Sequence, residues 1–376
     1  MWTPLEVGAL LRLSNAGSPL SVAWSHPSRG EWASGIGIAG EGGGQLDWAD
    51  GPPPSGPGPW FGGWTFAGIE RWILPEVLAW WSGGRTYAAA FGDRAAQALA
   101  RLEEVQPSLE VPRAKVEPGD RAAWSKSVEA ALARIASGAL SKVVLARQLL
   151  LRAEVPLDER RILKALEARF PSCRTFLLRT EEGAAFVGAS PETLCRVRGR
   201  VLETEALAGT GTGDELLGSH KDRREHAWVI EAIVETLRPM STAVEVEPEP
   251  GLKRLANLTH LWTQIRAELR EGVDPRAAAR ALHPTPAVGG TPRTAAIAFQ
   301  RAHEGFDRGW YAGAIGTYGA AGLELCVGIR SALLRGSEAT VFSGAGIVAG
   351  STANSEWEET ERKAGAMLQA LGTYDV

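Results

Sequence analysis

Apolar residues recur at two periods along this chain, and the switches between them mark its elements. From His220 to Leu237 the residues Trp228, Ile230, Ile233, Val234 and Leu237 form a stripe, which predicts an amphipathic helix. An alanine-rich helix is predicted over 122–135, with Asp120 placed to cap it and Gly138 to close it. A third helix runs over 157–170 and stops at Pro171, and a fourth over 275–282. Branched and aromatic residues dominate the run after Ser141, and strands are predicted there, at 175–179 and at 184–189. Residues 194–198 and 201–206 read as a hairpin about Gly199, and 309–316 and 323–330 as paired strands that feed a closing strand from Ala339.

Residues 1–112 have a different texture. They are rich in Gly, Pro and Trp, with short strand-like runs at 62–67 and 76–81 and a Pro-rich loop from Gly51 to Pro59. Two stretches, 35–40 and 344–349, fit the dinucleotide fingerprint or its looser form. The first runs into Glu41-Gly-Gly-Gly instead of a helix, and the second lies too near the chain end for the rest of a nucleotide-binding half, so both are rejected. Strands follow one another with helices interspersed irregularly. This pattern predicts an α+β fold with large antiparallel sheets rather than a doubly wound parallel sheet. No internal repeat is present.

Composition narrows the function without naming it. The sequence has 376 residues, 44% apolar, with a formal net charge of −4, so nothing points to nucleic acid or an anionic membrane. Its three cysteines, Cys173, Cys195 and Cys326, are scattered and lack metal-site spacing, which fits a reducing compartment. A basic start leading into an apolar run is missing, as is any uninterrupted apolar run of eighteen residues, so a cytoplasmic location is expected.

Candidate chemistry concentrates near the C-terminus. Gly344-Ala345-Gly346 reads as a turn whose N–H groups come close to an anion. A helix follows, with Ser355 as cap and Glu358 completing a capping box. Glu356, Glu359 and Lys363 then share one face, which suggests an acidic substrate held partly through a metal ion; Glu359 and Lys363 equally fit an ordinary surface pair. Elsewhere single residues stand out. Lys142 begins a strand, where a lysine is usually a solvated end. Glu192 sits on the turn Ser190-Pro191-Glu192, read as the start of a helical turn. Glu225 and His226 lie near a charged helix start, and His283 opens a rigid loop of prolines and glycines. The loop 208–213 has a phosphate-loop composition without the Gly-Lys-Ser/Thr ending.

Taken in order, Ser-Lys142-Val-Val-Leu-Ala-Arg, Phe-Val-Gly-Ala-Ser-Pro-Glu192-Thr-Leu, Ala-Leu-Ala208-Gly-Thr, Lys-Asp-Arg-Arg-Glu225-His, His283-Pro-Thr-Pro-Ala-Val-Gly-Gly, Gly-Ile-Arg330, Ser-Gly344-Ala-Gly-Ile-Val and Glu356-Trp-Glu-Glu359-Thr resemble the chorismate-utilising enzymes. Within that family the resemblance is nearest to isochorismate synthases and covers about residues 113–370. It implies an α/β sandwich of two stacked antiparallel sheets flanked by helices, with the site in a cleft. Residues 113–376 would form the chorismate-binding core, and 1–112 a variable portion adding strands to the same fold.

The resemblance also implies roles. Lys142 resembles the base that activates water for attack at ring C2, and Glu192 the acid that protonates the departing C4 hydroxyl. Glu225 and Glu359 resemble Mg²⁺ ligands, with Glu356 holding a metal-bound water. Gly344, Ala345 and Gly346 resemble the donors to a substrate carboxylate. Arg330 and Tyr311 resemble the grip on the enolpyruvyl carboxylate, and Lys363 and His283 line the cleft. Ala208, Gly209 and Thr210 lie on the family's substrate-binding loop, where aminodeoxychorismate synthases carry a nucleophilic lysine in place of Ala208. Many relatives have an arginine soon after this point, where this chain has Gly211-Thr212-Gly213. The implied protein is a monomer without a glutaminase subunit, binding neither nucleic acid nor membrane. A salicylate synthase or the large subunit of an anthranilate synthase stands as the alternative.

Overall fold

The computed structural model describes residues 2–5, 13–15, 20–42, 59–82, 85–92, 97, 102–104, 111–181, 183–211, 213–254 and 259–372. The Pro-rich loop expected at 51–59 lies, except for its last residue, outside them, as does Thr212. Among the described residues two large sheets dominate, one of twelve strands and one of ten. The long strand Lys142–Ala153 lies against Glu338–Ile347 in the first sheet, and Val201–Gly211 against Thr259–Leu269 in the second, both antiparallel.

The first 112 residues add strands to both sheets. Leu20–His26 pairs with Arg174–Glu181, and Trp60–Trp64 pairs with Ala314–Gly319. The fold is therefore an α+β sandwich whose sheets are each assembled from distant parts of the chain.

The continuous apolar run near 176 follows from this layering. Successive residues of a strand face opposite sides. Phe176 and Leu178 enter the core that draws on both sheets, beside Trp24, Trp64 and Phe186. Leu177 points the other way, onto Ile162, Leu163 and Leu166 of the helix Glu159–Arg169. Both faces are covered, so no polar alternation is required, and each fully buried large side chain stabilises the fold by about 1.5–3 kcal/mol. No helix among the described residues is long and apolar enough to cross a membrane.

Helix boundaries track local signals. The helix Arg121–Ala136 is capped by Asp120, which accepts from Ala123 N at 2.9 Å. Helices occupy His220–Leu237 and Pro275–Leu282. Four local expectations are corrected. The C-terminal helix, Ala353–Leu371, is capped by Thr352, and the box is closed by Ser355 one turn in, not by Ser355 and Glu358. Gly344–Gly346 is no turn but part of the strand Glu338–Ile347, because Lys142–Ala153 supplies a partner through Ile347. Likewise Ala208–Gly211 continues a strand, paired with Thr259–Leu261, and Ser190-Pro191-Glu192 links two strands without a helical turn.

Candidate active site

The chemistry-bearing residues converge on one cavity of about 180 Å³. Its floor is the strand pair 142–153 and 338–347. Lys142, Val144, Gly344 and Gly346 face it, while Val143, Leu145, Ala345 and Ile347 pack on the other side against Trp124 and Val128. Ala345 therefore has its side chain in the opposite layer, by the period-two rule. Space is tight at both glycines and excludes a side chain at Gly344. A Cβ on Gly344 would stand 2.8 Å from the Tyr311 hydroxyl, and one on Gly346 3.0 Å from Lys142 Cε.

Hydrogen bonding tells where the glycine backbone points. Val144 donates its N–H to Gly289 O, and its carbonyl accepts from Gln300 and Arg308; Ala146 donates to Glu304 Oε1. Those groups are turned away from the neighbouring strand, so Gly346 and Gly344, which lie opposite, belong to non-hydrogen-bonded pairs. Their own N–H and C=O groups then point to the far side, where the strand Ser331–Arg335 has already ended opposite Phe342. Gly344 O is taken by Lys363 Nζ at 3.1 Å. The N–H groups of both glycines form a pair of donors at the cavity.

Two helices bring the acidic residues. Ser219 caps the helix His220–Leu237 by accepting from Asp222 N. One turn on, Glu225 Oε1 meets Lys142 Nζ at 2.5 Å, an ion pair joining residues 83 apart in sequence. From the C-terminal helix, Glu356, Glu359 and Lys363 line the cavity together, with Glu359 Oε1 and Lys363 Nζ 2.5 Å apart. Burial works against the Glu359 charge, but Lys363, by its charge and its hydrogen bond, and Arg362 hold the carboxyl below its ordinary value.

Glu192 is the opposite case. It is 6% exposed, and the Thr285 hydroxyl lies 3.5 Å from its Oε1. Burial, reinforced by the negative charge of Glu205, pushes the carboxyl up to about 7 against the pull of Lys253 and Lys142. Arg330 sits beside it with φ 51°, a left-handed conformation that costs a non-glycine residue about 1–2 kcal/mol. Its guanidinium has no hydrogen bond or ion pair among the described residues. Strain and an uncommitted cation at one cavity wall together mark a ligand-facing position. Tyr311 stacks on Phe342 at 5.2 Å, and burial pushes its phenol up to about 12, so it is a hydrogen-bond donor at neutral pH.

The remaining residues divide. Ala208 and Gly209 line the cavity, Gly209 at φ 70° in a β-bulge. Thr210 continues that strand opposite His260. His283 is not in the lining. It is buried against Trp64 and Phe66 with Nε2 2.8 Å from Ala312 O, and burial lowers its imidazole to about 4, so it is a neutral anchor of its loop. Two titratable lining residues were not singled out from sequence. Asp222 stands three residues before Glu225 on one helix face, a spacing that could have found it. His260 gave no such signal. Its Nδ1 lies 3.1 Å from Gly209 O, and burial with Lys363 and Arg330 nearby lowers it to about 4.

Comparison with known proteins agrees with this geometry. The family model described as chorismate binding enzyme matches residues 84–372. The chain is 35% identical to the isochorismate synthase MenF of Pasteurella multocida, over 82% of this chain and 78% of that protein. It is 40% identical to the salicylate biosynthesis isochorismate synthase of Pseudomonas aeruginosa, over 67% of this chain but only 55% of that relative. The structure of MenF, the menaquinone-specific isochorismate synthase from Escherichia coli, superposes with a TM-score of 0.85 at 29% identity, covering 99% of this chain and 94% of that one. With one cavity gathering its motifs and a family model spanning most of its length, the chain belongs to the chorismate-binding enzymes.

Proposed function

We propose that this protein is an isochorismate synthase, which adds water at C2 of chorismate and expels the C4 hydroxyl. The observation that carries the reading is the pairing of roles in one cavity: a lysine amine at the strand start and, across from it, a buried carboxyl raised to about 7. An amine base and a carboxyl held in its acid form suit a reaction that removes a proton from one oxygen and gives one to another. Lys142, acting as the neutral amine, takes the proton from water as the new C2–O bond forms. The ring double bonds shift, the C4–O bond breaks, and Glu192 delivers its proton to the departing hydroxyl, which leaves as water.

Substrate recognition follows from charge. Chorismate carries two carboxylates. Arg330, the Tyr311 hydroxyl and the N–H groups of Gly344 and Gly346 are the donors this cavity offers them. Ala208 presents only a methyl group, so an amine nucleophile of the chain itself is missing at that position and the wall is left open to water or to ammonia.

The donor set also fits Mg²⁺. Glu225, Glu356 and Glu359 supply hard carboxylate oxygens in one cavity, and Glu225 and Glu359 each hold an ammonium group, so the local field favours positive charge. Among the described residues no three His, Cys, Asp or Glu side chains stand close enough together to enclose a metal by themselves. Glu225 and Glu359 would hold the ion and Glu356 a water on it. When bound, Mg²⁺ neutralises carboxylate charge and withdraws electrons from the conjugated ring.

The test is chorismate with and without Mg²⁺, with the product identified by chromatography and mass. Isochorismate formed only with the metal is the expected result. Salicylate with released pyruvate, or anthranilate when ammonia is supplied, would replace this reading with another.

A further inference from the structure

Glu192 stands in a wall between two cavities. The second, of about 120 Å³, shares Pro191 and Glu192 with the first and is lined beyond them by Glu205, Lys253, Arg174 and Glu324. Glu205 comes from the strand Val201–Gly211, three residues before Ala208, and the proposed chemistry has so far made no use of it. Its carboxyl group is largely buried and faces three donors. Oε1 accepts from Thr193 N at 2.8 Å and from Lys253 Nζ at 2.7 Å, and Oε2 accepts from Trp262 Nε1 at 2.6 Å. Thr193 is the next residue after Glu192, so the anion is tied within one peptide unit of the acid.

A carboxylate so held cannot swing away from the acid. A fixed negative charge beside a buried acid opposes the acid's ionisation. We propose that Glu205 is a positioning residue which, from the second cavity, keeps Glu192 in its acid form until the leaving hydroxyl takes the proton. This rests on Glu192 being the acid of the reaction proposed above.

The charges facing Glu192 set the sign. Glu205 opposes its ionisation; Lys253 and Lys142 favour it, as does Arg330 from the substrate side. In the second cavity Arg174 is paired with Glu31 and Glu324 and Arg196 with Glu324, two carboxylates against two cations, while Arg29 adds a cation at the rim that also favours the Glu192 anion. Removing the Glu205 charge leaves these cations with less opposition, and Lys253 loses its partner. Glu192 would then release its proton at lower pH.

The experiment is the pH profile of kcat for isochorismate formation with saturating chorismate and Mg²⁺, in wild type, Glu205→Gln, Glu205→Asp and Glu192→Gln, each checked for folding by thermal melt. Glu205→Gln should move the basic limb down by about one pH unit, so kcat falls about tenfold above both limbs and less than about twofold below them. Glu205→Asp, which keeps the charge, should bring the limb back toward wild type, and Glu192→Gln should be inactive throughout. A Glu205→Gln profile that is lowered evenly, or whose limb moves up, overturns the proposal and leaves Glu205 a structural anchor. Wild-type-like turnover in Glu192→Gln would instead overturn the acid assignment itself, and the proposal with it. Should Glu205→Gln not fold, Glu205→Met, neutral and close in length, carries the same test.

Discussion

Two buried charged groups flank the strand Lys142–Ala153, and they differ in how completely their hydrogen bonds are used. In one, Arg308 and Glu304 form an ion pair with side chains only 2% and 3% exposed. Arg308 Nε meets Glu304 Oε2 at 2.8 Å, its Nη1 meets Val288 O at 2.9 Å, and its Nη2 meets Val144 O at 2.8 Å; Glu304 Oε1 accepts from Ala146 N. In the other, the cavity, Glu192 has a single distant hydroxyl and the Arg330 guanidinium has no hydrogen bond among the described residues. Burial is common to both. What separates a structural knot from a reactive site is the capacity left over for something else to bind.

The contrast predicts different failures. The largest effect should come from the cavity: Lys142→Ala is expected to lower kcat by about 10³–10⁴-fold while changing chorismate affinity little, because a base acts only in the transition state. Steady-state kinetics beside calorimetric binding separates the two, and near-normal turnover would remove Lys142 from the chemistry. In the knot, Arg308→Met leaves the buried Glu304 without its cation and should cost about 3–5 kcal/mol of stability. Thermal and denaturant melts read that loss, and the folded fraction should keep its kcat. A loss of kcat without loss of stability would erase the distinction drawn here.

Two smaller effects sharpen it. Arg330→Ala removes charged hydrogen bonds to the substrate worth about 1.5–3 kcal/mol and should raise KM for chorismate by about 10–100-fold, with a melting temperature at or above wild type, since the burial cost of its cation is removed while the left-handed backbone stays as it is. A lowered melting temperature with unchanged KM would make Arg330 part of the scaffold instead. Gly346→Ala puts a methyl group 3.0 Å from Lys142 Cε, so the lysine must shift. We expect about a tenfold drop in kcat, the cost of displacing a reacting group slightly, with KM within about threefold. An unchanged kcat would show that the lysine tolerates displacement.

Legibility in the sequence followed the range of the forces involved. The bounds of the helices 220–237 and 275–282 were legible, because apolar spacing and end signals act within a turn or two. The buried face of the first, however, runs through His226, Val229, Ile233 and Leu237, while Trp228, Ile230 and Val234 are only half-buried. The same local logic put Glu356, Glu359 and Lys363 on one face, and all three meet the cavity. Strand-dense segments were legible as strands, because runs buried on both faces need branched and aromatic residues whatever their partners.

Partnership itself was not legible. Gly344-Ala345-Gly346 has the composition of a turn, and only a neighbouring strand some two hundred residues earlier makes it extended, with its glycine N–H groups aimed at the cavity. His283 sits in a loop that sequence marks as rigid, but which way a rigid loop faces depends on Trp64, Phe66 and Ala312, all distant in the chain. His260 and Glu205 went unnoticed for the same reason: each is an unremarkable polar residue until the fold places it against Gly209 or beside Glu192. By itself the sequence determined the elements, the family and which side chains carry charge, since these rest on local propensity and residue chemistry. The tertiary structure alone decided which charges are compensated and which are left for a ligand, because compensation depends on distances between residues that the chain keeps far apart.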